Sequence, residues 1–156
     1  MRKFYLFTLI TCFLLTPVFA QSADEVTKVI ETKEVTAGQV AYFACTAAGT
    51  IKDSASKEDA FNTIKKSLNI KASTESEVIT CDQIAWIVSN TWDVKGSLMY
   101  LIVPSPRYAY KQLKADGVIP SNFDTKRKLT GHEFLNILTK CQEVYKLKND
   151  TKKVEK

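Results

Sequence analysis

Few side chains in this 156-residue chain are of types that do chemistry, and their spacing decides how far each can be taken. The single histidine, His132, stands directly before Glu133. A zinc site or a histidine-based catalyst needs partners at fixed spacing, such as a second histidine four residues on, and the chain has none. Cys81 opens a helical pattern, where the helix dipole lowers a thiol pKa, so it is the expected reactive thiol. A Cys/His nucleophile pair would have to use His132, and nothing in the spacing brings the two together. Cys45 and Cys141 fall on apolar helical positions and serve there either as small buried side chains or as a disulfide pair. Phosphate loops, a GxSxG elbow and recognisably spaced carboxylate pairs are absent from the sequence. The chemistry that remains is recognition. Arg107 precedes Tyr108 and Tyr110, and a guanidinium beside aromatic rings suits a carboxylate or aromatic partner. The two tyrosines project from different helix faces, so one of them is expected outside.

Three short phrases must position these groups. Val35-Thr36-Ala37-Gly38-Gln39-Val40, Ile79-Thr80-Cys81-Asp82-Gln83-Ile84 and Leu129-Thr130-Gly131-His132-Glu133-Phe134 share one pattern. In each, the threonine (Thr36, Thr80, Thr130) can accept from the backbone N–H three residues on, while Gln39, Gln83 or Glu133 reaches back to the threonine N–H. The flanking apolar residues can pack as hydrophobic staples. Three such starts in one chain predict duplicated helix-loop-helix units.

Apolar residues at helical spacing follow each phrase: Val40, Phe43, Ala44 and Ala47 up to Gly49; Ile84, Ile87, Val88 and Thr91 towards Gly96; Phe134, Ile137, Leu138 and Cys141. Two further helices lie between them. One runs near Lys57 to Leu68; the other starts at Ser105 and Pro106 and stops at Gly117. The expected fold is all-α, a compact bundle of about five helices. Residues 22–35 fit either a short helix or an extended lead-in, and the apolar run 97–103 is expected to be a buried irregular connection.

Composition narrows the class. The chain is 45% hydrophobic with Gly 5 and Pro 4, which excludes a disordered tail or a collagen-like fibre. Its formal net charge of +5 would suit nucleic acid or a membrane surface, but the excess sits at the ends. Residues 1–20 carry Arg2 and Lys3, then an apolar stretch and a Pro17-to-Ala20 close, the form of a secretory signal peptide. Residues 146–156 form a lysine-rich tail expected to be flexible. The body, 21–145, holds equal numbers of acidic and basic side chains, and its Lys126-Arg127-Lys128 run reads as a solvated loop, so no nucleic-acid partner is expected. No later apolar run reaches the length of a membrane span.

Tyr108 to Ile119, then Pro120-Ser121-Asn122-Phe123-Asp124 and Leu129 to Phe134, resemble one unit of the S-layer homology domain, a helical module of exported bacterial envelope proteins. The segment from Ala60 through Ile70 to Gln83 resembles a second. A fainter likeness, from Gly96 to Tyr110, is to small spirochaetal envelope proteins. The resemblance implies a periplasmic or envelope-associated protein that binds another envelope protein or a cell-wall glycan, and the residue types and spacings above lead to the expectation of a non-enzymatic protein without cofactor or metal. Where the family places an arginine that contacts anionic polysaccharide, this chain has Ala37, Cys81 and Gly131, none of which can pair with a carboxylate. The alternative function is a periplasmic thiol-dependent redox factor or enzyme using Cys81.

Overall fold

The computed structural model describes residues 17–68 and 70–146. Most of the expected signal segment and all but the first residue of the lysine-rich tail lie outside that range. The fold is all-α: α1 (Pro17–Ile30), α2 (Ala37–Ala47), α3 (Lys57–Ser67), α4 (Cys81–Thr91), α5 (Leu98–Ile102), α6 (Pro106–Ala115) and α7 (Gly131–Cys141), followed by a π-helical turn, Gln142–Lys146. The ambiguous lead-in is helical to Ile30, so α1 adds a helix to the expected five. Helix α2 packs on α3 and α4, α4 on α6, and α1 on α7.

Threonine occupies the N-cap of α2, α4 and α7, in extended backbone conformation each time. At Thr36 and Thr130 the reciprocal box forms: Gln39 N–H donates to Thr36 Oγ1 at 3.4 Å and Thr36 N–H to Gln39 Oε1 at 3.0 Å; Glu133 N–H donates to Thr130 Oγ1 at 3.3 Å and Thr130 N–H to Glu133 Oε2 at 3.0 Å. At Thr80 the box is modified. Its N–H donates to Gln83 Oε1 at 2.9 Å, but Asp82 Oδ1 takes the Gln83 N–H at 3.0 Å and the Thr80 hydroxyl turns to Asp82. Ser105 holds the N-cap position of α6 without a side-chain capping bond.

Three helices end in the same way. Thr50 N–H donates to Cys45 O, Val94 N–H to Ser89 O and Val118 N–H to Leu113 O, each spanning five residues. The residue inside each turn has positive φ: Gly49 at 71°, Asp93 at 46° and Gly117 at 74°. This is the Schellman geometry, which favours glycine because it has no Cβ to clash. Asp93 is not legible as a stop from its type, so α4 ends at Thr91, well before Gly96.

The threonine turns interlock. Ala37 and Gly38 N–H donate to Glu77 and Glu75 carbonyls, both at 2.8 Å, in the loop before the second turn. Cys81 and Asp82 N–H donate to Arg127 and Thr125 carbonyls at 2.8 and 3.1 Å, in the same register in the loop before the third. Gly131 N–H donates to Thr32 O at 2.9 Å, which returns the third turn to the segment before the first. Val35 N–H donates to Leu129 O and Ile79 N–H to Val35 O, and antiparallel bridges join Thr36 to Val78 and Thr80 to Lys128. Three loops thus satisfy the free N–H groups of three helix starts in a closed ring. Val35, Ile79 and Leu129, which precede the threonines, and Val40, Ile84 and Phe134, which pack as staples, are all 0% exposed.

Candidate functional site

All three positions after the threonines are inside the ring: Ala37 and Cys81 are 0% exposed and Gly131 is buried. Small residues stand there because the neighbouring loop lies against them. A Cβ on Gly131 would overlap the carbonyl of Val29 at the end of α1. These positions hold the units together and cannot touch a ligand.

Burial also revises the thiol expectations. Cys45, Cys81 and Cys141 are free and buried, so the Cys45–Cys141 disulfide is not formed. Cys81, the expected accessible thiol, is instead covered by the loop whose Arg127 carbonyl accepts its N–H. Burial, with Asp82 beside it, pushes the Cys81 thiol up to about 12, and burial alone does the same to Cys141. Burial also raises Cys45, opposed by a hydrogen bond with Thr91. The dipole of α4 does not offset the loss of water. At pH 8 a thiol reagent should leave Cys45, Cys81 and Cys141 unlabelled in the native protein and label all three in denaturant; rapid native labelling of Cys81 would contradict this burial. His132 is exposed, with Asn136 Nδ2 3.4 Å from its Nδ1, and among the described residues no cluster of His, Cys, Asp and Glu could hold a metal ion.

The expected contact residues separate. Tyr110 is 6% exposed and its hydroxyl donates to Phe123 O at 2.6 Å, so it ties α6 to the following loop and is not a surface contact. Arg107 is exposed and Tyr108 half-buried. Trp86 lies half-buried, edge-on to the buried Tyr100 ring, with centroids 6.3 Å apart.

Three surface grooves differ in charge. One, of about 340 Å³, carries Glu25, Glu58 and Glu75 against Lys57. A second, of about 310 Å³ beside the third turn, carries Glu133 and Glu143 against Lys140. Burial pushes Glu133 up, but the Thr130 N–H and the Arg127 guanidinium outweigh it and hold that carboxyl below its ordinary value. The third groove, of about 400 Å³, lies at the start of α4 and α6; Thr80, Gln83, Lys71, Arg107 and Lys126 line it with Asp82 as the only acid. Lys126 Nζ is 3.0 Å from Asp82 Oδ2. Among the described residues, no carboxylate pairs with Lys71 or Arg107. Of these three grooves, this one has a cation excess and donors free to receive an anion.

Arg107, the expected contact residue, lines this groove at the start of α6. The presence of Lys71 and Lys126 there is not legible from the sequence, because each reaches the groove through a loop whose path depends on the ring. The basic run also resolves residue by residue: Lys126 pairs with Asp82, Arg127 with Glu133, and Lys128 with Glu34 at 3.3 Å. No protein-family model, curated protein or solved structure matches the chain, so its own residues carry the functional reading.

Proposed function

We propose that this is an exported, non-enzymatic envelope protein, built on an S-layer-homology-like helical domain, that binds another envelope component through an anionic group. The three interlocked threonine turns support a duplicated module of that kind. The carrying observation for binding is the groove in which Lys71 and Arg107 stand unpaired beside Lys126. A sugar acid of a cell-wall glycan or a carboxylate of an envelope protein fits that donor set: Arg107 supplies a planar fork and Lys71 a point charge. The arginine missing after each threonine is thereby replaced, at the second turn, by cations from other segments. No described feature of the Cys81 environment supports a thiol-dependent activity.

The double variant Lys71→Ala/Arg107→Ala keeps the helical fold, since both side chains are free of structural pairs. Its recovery on isolated cell walls or on envelope-protein extracts should fall by roughly tenfold or more, as for removal of charge-assisted contacts. Loss on walls identifies a glycan and loss on extracts a protein. Unchanged retention on both, with an intact circular dichroism spectrum, would exclude the groove as the binding site.

A further inference from the structure

The apolar run 97–103 is not the buried connection its composition predicts. Instead α5 and the residue after it carry the most exposed large apolar side chains of the described chain: Leu98 at 71%, Leu101 and Ile102 at 64%, Met99 at 50% and Val103 at 49%. Only Tyr100 turns inward, against Trp86, and Gly96 leaves the space that the Tyr100 ring fills. Ser97 N–H donates to Gln112 Oε1 at 2.7 Å, which pins the start of α5 to α6. The result is a firmly based single helical turn with apolar side chains on every side but one. Soluble surfaces carry scattered apolar residues, but a contiguous cluster of this kind marks an interaction site.

The charge around it is mixed, with cations in excess. From Asp93 to Asp116, which spans α5 and the helix α6 beside it, the chain holds Lys95, Arg107, Lys111 and Lys114 against two acids at its ends, Asp93, exposed and acting on Tyr100, and Asp116, half-buried and accepting from Gln112 Nε2. Lys95, Arg107 and Lys111 are exposed, while Lys114 turns inward to Tyr110 and Phe123. A protruding apolar tip beside an excess of exposed cations has the chemistry of an interfacial membrane contact: the tip enters the acyl boundary and the cations meet anionic headgroups. A second copy of the chain fits poorly. Five exposed side chains fall far short of the roughly 20 to 30 residues per side typical of a stable dimer.

We propose that the α5 tip, Leu98 to Val103, inserts into the interface of an anionic lipid bilayer and so holds the protein peripherally on a membrane. The tip's own exposed side chains carry the insertion; Arg107 also lines the groove, so the test leaves it and Lys71 intact. Leu101→Trp places a reporter on the tip itself, where basic residues elsewhere in the chain cannot mimic its signal. The protein as processed by the cell is mixed with phosphatidylcholine vesicles containing phosphatidylglycerol, and with vesicles of phosphatidylcholine alone. The expected result, relative to the parent protein, is a blue shift of the added emission with the anionic vesicles and its quenching by brominated acyl chains. In the parent background, Leu101→Ser/Ile102→Ser should weaken co-sedimentation with those vesicles by roughly tenfold or more. No blue shift or quenching of the introduced tryptophan, even if the protein sediments with vesicles, would overturn the proposal. A shift that needs no vesicles and grows with protein concentration would overturn it in favour of self-association.

Discussion

Gly131→Ala should destabilise the protein by about 3 kcal/mol, and lower its melting temperature by roughly 10 °C, although it adds a single methyl group at a helix start. Alanine is elsewhere a better helix former than glycine, and intrinsic propensity alone would predict a gain. Packing reverses the sign. The Val29 carbonyl occupies the space where the Cβ would go, and backbone at the end of α1 cannot rotate away as the end of a flexible side chain can. Accommodating the methyl group moves α1 off α7 and breaks the Gly131 N–H bond to Thr32 O. Chemical denaturation followed by far-ultraviolet circular dichroism measures the loss. His132→Ala, one residue on and exposed, serves as the control and should be nearly neutral.

The second large effect is expected at the centre of the ring. Val35, Ile79 and Leu129 are each 0% exposed and are linked to one another through backbone hydrogen bonds. Ile79→Ala and Leu129→Ala should each cost about 3 kcal/mol, and Val35→Ala about 2 kcal/mol because fewer methyl groups are lost. Denaturation midpoints of the three variants provide the comparison. Similar losses per methyl group removed are expected if the three turns are structurally equivalent. A near-neutral result at any one of them would show that its turn is not closed against the others.

Local physics is readable in the sequence, and non-local physics is not. Thr36, Gln39, Thr130 and Glu133 act within four residues, and their spacing alone specifies the boxes that form. Pro106 and Gly117 mark the ends of α6 for equally local reasons. The loop carbonyls of Glu75, Glu77, Thr125 and Arg127 cannot be assigned from spacing, because any backbone carbonyl could accept those bonds. That is why Cys81 reads as an accessible helix-start thiol: its cover comes from a loop more than 40 residues away. The Leu98-to-Val103 run misleads for the opposite reason. Apolar composition reports a preference for burial, and a surface that serves a partner carries the same composition without being buried within its own chain. At the groove, only Arg107 announces itself, whereas Lys71 and Lys126 arrive from loops distant in sequence from α6.

The ring also gives α1 its importance. Helix α1 packs on α7, and Lys57 of α3 reaches Glu25 of α1 at 2.6 Å, so the first helix is held by both the last unit and the first. The Lys57 ammonium, followed by that of Lys28, holds the Glu25 carboxyl below its ordinary range despite partial burial. With this closure the fold should unfold as one cooperative body instead of as a row of separable helix pairs.

Native-state amide hydrogen exchange tests that closure most directly. The N–H groups of Val35, Ala37, Gly38, Cys81, Asp82 and Gly131 donate to loops or turns outside their own helices. In a closed ring they should exchange only through global unfolding, with the same free energy and denaturant dependence as the buried centres of α4 and α7. Exchange of Gly131 and Val35 at low denaturant, while α4 stays protected, would show that α1 leaves α7 independently and would contradict the closed ring.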